Sequence, residues 1–136
     1  MSTFAPVFQA IREQVATVAT SLDMPVVHDN APEPAKALTW ARLTVQVDDT
    51  RQASMGAPVR FRSRGAAVLN ISTRAEKGDA TLLAACDALC TAFRGLSLAS
   101  PEIRFDSPTP TGATVVDGAW FTRTVRIPFI ADTYQT

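Results

Sequence analysis

The stretch Trp120-Phe121-Thr122-Arg123-Thr124-Val125-Arg126-Ile127-Pro128-Phe129 alternates apolar and polar side chains from Phe121 to Ile127. Period two marks a β-strand with one buried and one wetted face. Thr122, Thr124 and Arg126 fall on the wetted face or, with the register shifted by one, Arg123 does. One strand must pair to be stable, so this stretch requires a sheet.

Working outward, Asp117-Gly118 is a tight-turn dipeptide that joins Val115-Val116 to the 120–130 strand as a hairpin. A further strand is predicted around Ile103-Phe105. Upstream, Leu82, Leu83, Cys86, Leu89, Cys90 and Phe93 form the apolar stripe of a helix that Asp79 caps and Gly95 ends. At the N-terminal end, Phe4, Val7, Phe8, Ile11, Val15, Val18 and Leu22 recur every three or four residues. They predict an amphipathic helix, capped by Ser2 or Thr3, with Pro6 in its first turn and Pro25 beyond its end. Pro25 to His28 reads as a short strand, and Asp29 to Ala37 as a proline-containing loop.

Leu43, Val45 and Val47 alternate with Arg42, Thr44 and Gln46, giving a strand that starts near Trp40. The polar segment Asp48–Pro58 is the longest insertion between two strong strands. Then Val59, Phe61 and Ser63 take one face and Arg60, Arg62 and Arg64 the other, until Gly65, after which Ala66 to Ile71 is nearly all apolar. A strand that passes from half-wetted to wholly buried starts outside the sheet's central region. Paired with residues 42–50, it forms a projecting hairpin. The predicted fold is α+β: two helices on one face of a mostly antiparallel sheet of about five to six strands.

A chain of 136 residues predicts one domain, residues 1–136, large enough to fold without a metal or disulfide staple. Net charge is zero, from 13 basic and 13 acidic residues, so no overall field draws the protein to nucleic acid or anionic lipid. Arginine accounts for 11 of the 13 basic residues, a usage favoured at protein interfaces. Residues 1–22 lack the pattern of a targeting segment, and no apolar run reaches transmembrane length. Cys86 and Cys90 lie four apart on a helix, where a disulfide is geometrically poor, so they are expected as reduced core residues of a cytosolic protein. Phe105, Trp120 and Phe121 are expected in the core.

Chemistry-bearing motifs are missing. His28 is the sole histidine, and its neighbour Asp29 points to the opposite face of a strand. Ser54-Met55-Gly56 has no base nearby and reads as a polar turn. The sequence contains no phosphate loop, metal-ligand spacing or nucleophile elbow. Hence no catalytic, cofactor-binding or metal-binding residue is predicted. The densest charge feature is Arg51, Arg60, Arg62 and Arg64, with no acidic residue between Asp49 and Glu76. Three roles fit these arginines: contact with another protein, a solvated edge that blocks aggregation, and phosphate binding. Arg62, on a wetted strand position, is expected to accept Glu without loss of the fold.

Taken in order, Trp40-x-Arg42-x-Thr44-x-x-Val47, then Arg51-Gln52-Ala53-Ser54-Met55-Gly56 and Phe61-Arg62-x-x-Gly65, are followed by Ala92-Phe93-Arg94-Gly95 and Ile103-x-Phe105. Trp120-Phe121-x-x-x-Val125-x-Ile127-Pro128-Phe129-x-x-Asp132 completes the series. This series resembles the small tail terminator (tail completion) proteins of long-tailed bacteriophages and gene transfer agents, over roughly residues 40–132. The resemblance implies a non-enzymatic structural protein, without cofactors, that forms a hexameric ring on the last ring of the tail tube and stops its polymerisation. The ring's other face meets the head-side connector or stopper protein, and DNA passes through the lumen without specific binding. It implies assembly in the bacterial cytoplasm and then a place at the head–tail junction, with no membrane. Contact with the tail tube or a neighbouring subunit would fall to Arg51, Arg60, Arg62 and Arg64. A head-side stopper or other neck protein of similar size shares much of this pattern. An alternative of a different class is a small cytosolic enzyme whose site forms between subunits, with His28 and an arginine supplied in trans.

Overall fold

A computed structural model describes residues 4–22, 24–28, 39–56, 59–74, 78–99, 102–110, 114–116 and 120–135. Helix α1 (Ala5–Ser21) leads into β1 (Val26–His28), then β2 (Thr39–Gln52) and β3 (Val59–Arg74). Helix α2 (Gly78–Phe93) is followed by β4 (Ser97–Ala99), β5 (Glu102–Phe105), β6 (Thr109–Pro110), β7 (Thr114–Val116) and β8 (Trp120–Gln135). All eight strands join one sheet, ordered β1-β2-β3-β8-β5-β4, with β6 and β7 also paired to β8. Among the described residues only β1 runs parallel to its neighbour. The expected α+β architecture is present. The two strands beyond the expected number, β4 and β6, are only three and two residues long, too short for an alternation to register.

The helix periodicities place the core. Val7, Ile11, Val15 and Ala19 of α1, and Leu82, Cys86, Leu89, Cys90 and Phe93 of α2, are buried together with Leu43, Leu69, Ile71, Ile103, Val125, Ile127 and Phe129 of the sheet. On β8 the residues that face the helices are therefore the odd-numbered ones. Thr122, Thr124 and Arg126 take the helix-free face, as the unshifted register predicts. Phe93 and Phe105 meet edge-on, with centroids 5.1 Å apart. Phe121 packs half-buried against this core. Cys86 and Cys90 are buried free thiols, and burial pushes the Cys90 thiol up.

Helix α1 starts differently from expectation: its N-cap position is Phe4, with no side-chain cap bond, and Pro6 sits in the first turn. Its end is closed by the Leu22 and Met24 N–H groups, both donated to the Ala19 carbonyl. Phe4 and Leu83, assigned to the apolar stripes, are exposed, since each stripe is wider than the surface that covers it. Gly95 ends the α2 segment at a φ of 71°, the left-handed conformation expected of a helix-terminating glycine. Ser2, Thr3, the 29–37 loop, the Asp117-Gly118 turn and the side chains of His28, Asp79 and Trp120 lie outside the described residues.

Two long strands depart from their predicted limits. β2 continues to Gln52, leaving a shorter connection to β3 than the expected Asp48–Pro58 insertion. β8 continues past Ile130 to Gln135 and pairs with β3 as far as Val59. The projecting hairpin is thus backed by a third strand; β5 continues the sheet beside β8 residues 129–132, so only the outermost part, β3 residues 59–61 with β8 residues 133–135, is three-stranded. The loss of alternation after Ile130 concealed this, because backbone pairing to a neighbour needs no apolar periodicity.

Candidate functional site

Gly65 marks the transition from sheet to arm. It lies opposite Val47 and Phe129, beside the register shift in which β2 accommodates Asp48 as an extra residue. A β-carbon at Gly65 would run into the Gln46 carbonyl oxygen and come within 3.0 Å of the Val47 Cα. Only glycine permits the strands to approach this closely at the bulge.

Beyond this point the sheet register gathers charged groups of β2, β3, β8 and β5 on the helix-free face. Arg62 of β3 stands opposite Asp132 of β8, which stands opposite Glu102 of β5. Arg62 donates two hydrogen bonds to the Asp132 carboxylate, from Nε at 2.9 Å and from a terminal nitrogen at 3.2 Å. This bidentate geometry suits a guanidinium fork and a carboxylate. Asp132 is 4% exposed, the most buried charged group among the described residues. Its hydrogen bonds to Arg62 hold the carboxyl below the usual carboxylate range, against the opposing pull of burial, with help from the charges of Arg62, Arg60 and Arg104. Arg62 is raised in turn, chiefly by its hydrogen bonds to Asp132. Arg104 lies 3.9 Å from the other side of the same carboxylate, and Tyr134 donates its hydroxyl to Glu102 at 3.3 Å.

The four arginines singled out in the sequence are therefore not equivalent. Arg51 is exposed and folds back onto Asp49 at 2.9 Å. Arg60 is half-buried and bonds the Ala53 carbonyl at 3.3 Å. Arg62 is committed to Asp132, so the expectation that this position accepts Glu does not hold: a second carboxylate would face a buried one. Arg64 is exposed and has no ion-pair or hydrogen-bond partner among the described residues. The sequence reading missed Arg104 as a member of the cluster. The only hint was the absence of acidic residues near the arginines, which implies that a carboxylate comes from elsewhere.

The turn at the arm's tip is cross-braced. Ala53 N–H donates to the Arg60 carbonyl at 2.7 Å, and Arg60 N–H donates to the Ser54 hydroxyl at 2.8 Å. Gln52 donates to the Ser54 carbonyl at 3.0 Å, and Gly56 takes a φ of 109°. The Ser54 hydroxyl thus serves the turn, as expected. Met55 stands out at 95% exposure. Nearer the bulge, Arg126 reaches Asp48 at 3.4 Å. Among the described residues no three His, Cys, Asp or Glu side chains converge on a possible metal site, and no helix is long and apolar enough to cross a membrane.

No protein-family model matches this chain, and no curated protein matches it significantly. Solved structures do match its fold. One aligns over 100% of both chains with a TM-score of 0.75 at 15% sequence identity. Another is a chain from the virion of a native gene transfer agent particle, aligned over 98% of this chain and 95% of that chain, with a TM-score of 0.52 at 23% identity. At these identities the shared property is the fold, from α1 through the arm to the end of β8.

Proposed function

We propose that this chain is a structural protein of a phage-like particle and acts there as a tail terminator. It forms a homo-hexameric ring on the last tail-tube ring, stops tube growth and offers its other face to the head-side connector. The observation that carries this proposal is the end-to-end fold likeness to a chain of a gene transfer agent virion. The series of short motifs between Trp40 and Asp132 supports the finer assignment to the head–tail junction.

A cap must match the tube on one side only, and the rigid arm gives the chain a one-sided element. Its exposed arginines, Arg51 and Arg64, are available for carboxylates of the tube or a neighbouring subunit, whereas Arg60 and Arg62 hold the arm together. Cryo-electron microscopy of particles made by the source organism tests the proposal. Six copies between tube and connector are expected, with overlong or headless tails when the gene is deleted. A single copy, or density elsewhere in the particle, refutes it.

A further inference from the structure

We propose that Arg64 and Arg104 form a carboxylate-binding pair, with Ile130 as its floor, for an acidic segment of a partner protein. The proposal rests on the arm being a contact element and names what that element grips. Arg64 on β3 and Arg104 on β5 are both opposite Ile130 on β8. Residues opposite one another project from the same face, so the two guanidiniums flank Ile130 across two strand spacings, about 9.5 Å between Cα atoms. Arg64 is exposed with no partner among the described residues, and Arg104 is about half exposed with only the 3.9 Å contact to Asp132. Ile130 is half-buried. Two donors above an apolar floor fit the carboxylate and methylenes of a glutamate side chain.

Asp132 gives this pair its preorganisation. Because Arg62 already holds both of its oxygens, Asp132 is neutralised next to the pair, and Arg104 can turn outward without leaving a bare buried charge. The surroundings favour a protein over a nucleic acid. Glu102 lies one residue pair further along the same face, Asp49 of β2 stands opposite Arg64 and is held by Arg51, Asp48 stands at the bulge, and the whole chain has no net charge. A phosphate backbone needs a continuous basic track, which these carboxylates interrupt, whereas a single glutamate side chain needs only the two guanidiniums.

Titration of the isolated, isotope-labelled protein with a blocked tetraglutamate peptide at low salt tests the pair, with a short DNA duplex as competitor. Shifts should concentrate on Arg64, Ile130 and Arg104. Arg64→Gln and Arg104→Gln should each weaken binding about tenfold or more, while Arg12→Gln, at an exposed position of α1, should not. Both substitutions alter exposed positions, and unchanged spectra elsewhere verify the fold. The proposal is overturned if no shifts appear, if Arg12→Gln weakens binding as much as Arg64→Gln, or if the duplex displaces the peptide at equal charge concentration. The titration does not depend on the particle. A failed titration with the protein seated at the junction refutes the pair alone, and a positive one with the protein elsewhere refutes the tail role alone.

Discussion

Strands β2, β3 and β8 run continuously through two environments that Gly65 divides. On the helix-covered side, β3 residues Ala66, Ala67, Leu69, Ile71, Ser72 and Thr73 are all buried, so this strand is shielded on both faces. On the arm side, only Ser63 is buried among residues 59–64. The first region is held by apolar packing against α1 and α2. The second is held by backbone pairing of β2, β3 and β8, with β5 beside β8, by Arg62–Asp132 and by the braced turn. A region built the second way keeps its shape while leaving charged side chains at the surface, which is what a docking element needs.

If packing dominates one region and polar contacts the other, substitutions should separate them. Phe93→Ala removes a fully buried ring from the contact with Phe105 and should cost about 3–5 kcal/mol in urea unfolding. A loss below about 1 kcal/mol would mean the helix layer contributes little. Gly65→Ala should cost about 2 kcal/mol or more, because backbone, not a flexible side chain, must yield at the Gln46 carbonyl. Amide exchange should show its effect spreading into both regions from the bulge.

Asp132→Asn should cost about 1.5–3 kcal/mol, the range for hydrogen bonds to a charged group. The effect should be confined to faster amide exchange at residues 59–64 and 130–135. Arg62→Glu should be worse than Arg62→Gln, since it sets two carboxylates against each other, and equal stability of the two variants would remove the pair from the arm's support.

Acid sharpens the same contrast. The folded state holds the Asp132 proton less tightly than the unfolded chain, whose ordinary aspartate value is about 3.9. The pair therefore contributes fully above that value, and its contribution is lost as pH falls through the lower folded value. The stability gap between wild type and Asp132→Asn should be constant near neutrality and shrink below about pH 4. A gap undiminished at pH 3 argues against the charge pair as its source. The smallest effect is expected at Arg64→Gln, within about 0.5 kcal/mol, because nothing among the described residues depends on that side chain.

The two helices and the buried half of the sheet were readable because periodicity reports burial directly: Val7, Ile11 and Val15 on α1, and Leu69, Ile71, Val125 and Ile127 on the strands, follow their templates. The arginine cluster was readable as a charge pattern, and Gly65 as the point where that pattern changes. What the arginines do was not readable. Asp132 is a poor strand former on its own, and its position near the end of a sequence-predicted strand gave no sign of its partner 70 residues away. Register alone sets Arg62 against Asp132 and leaves Arg64 and Arg104 over Ile130. Local sequence thus determined which segments are helix or strand and which faces are apolar, because those depend on a residue and its near neighbours. Tertiary structure decided the third strand of the arm and the split between structural and exposed arginines, because both depend on which distant residues the pairing of β8 with β3 and β5 brings side by side.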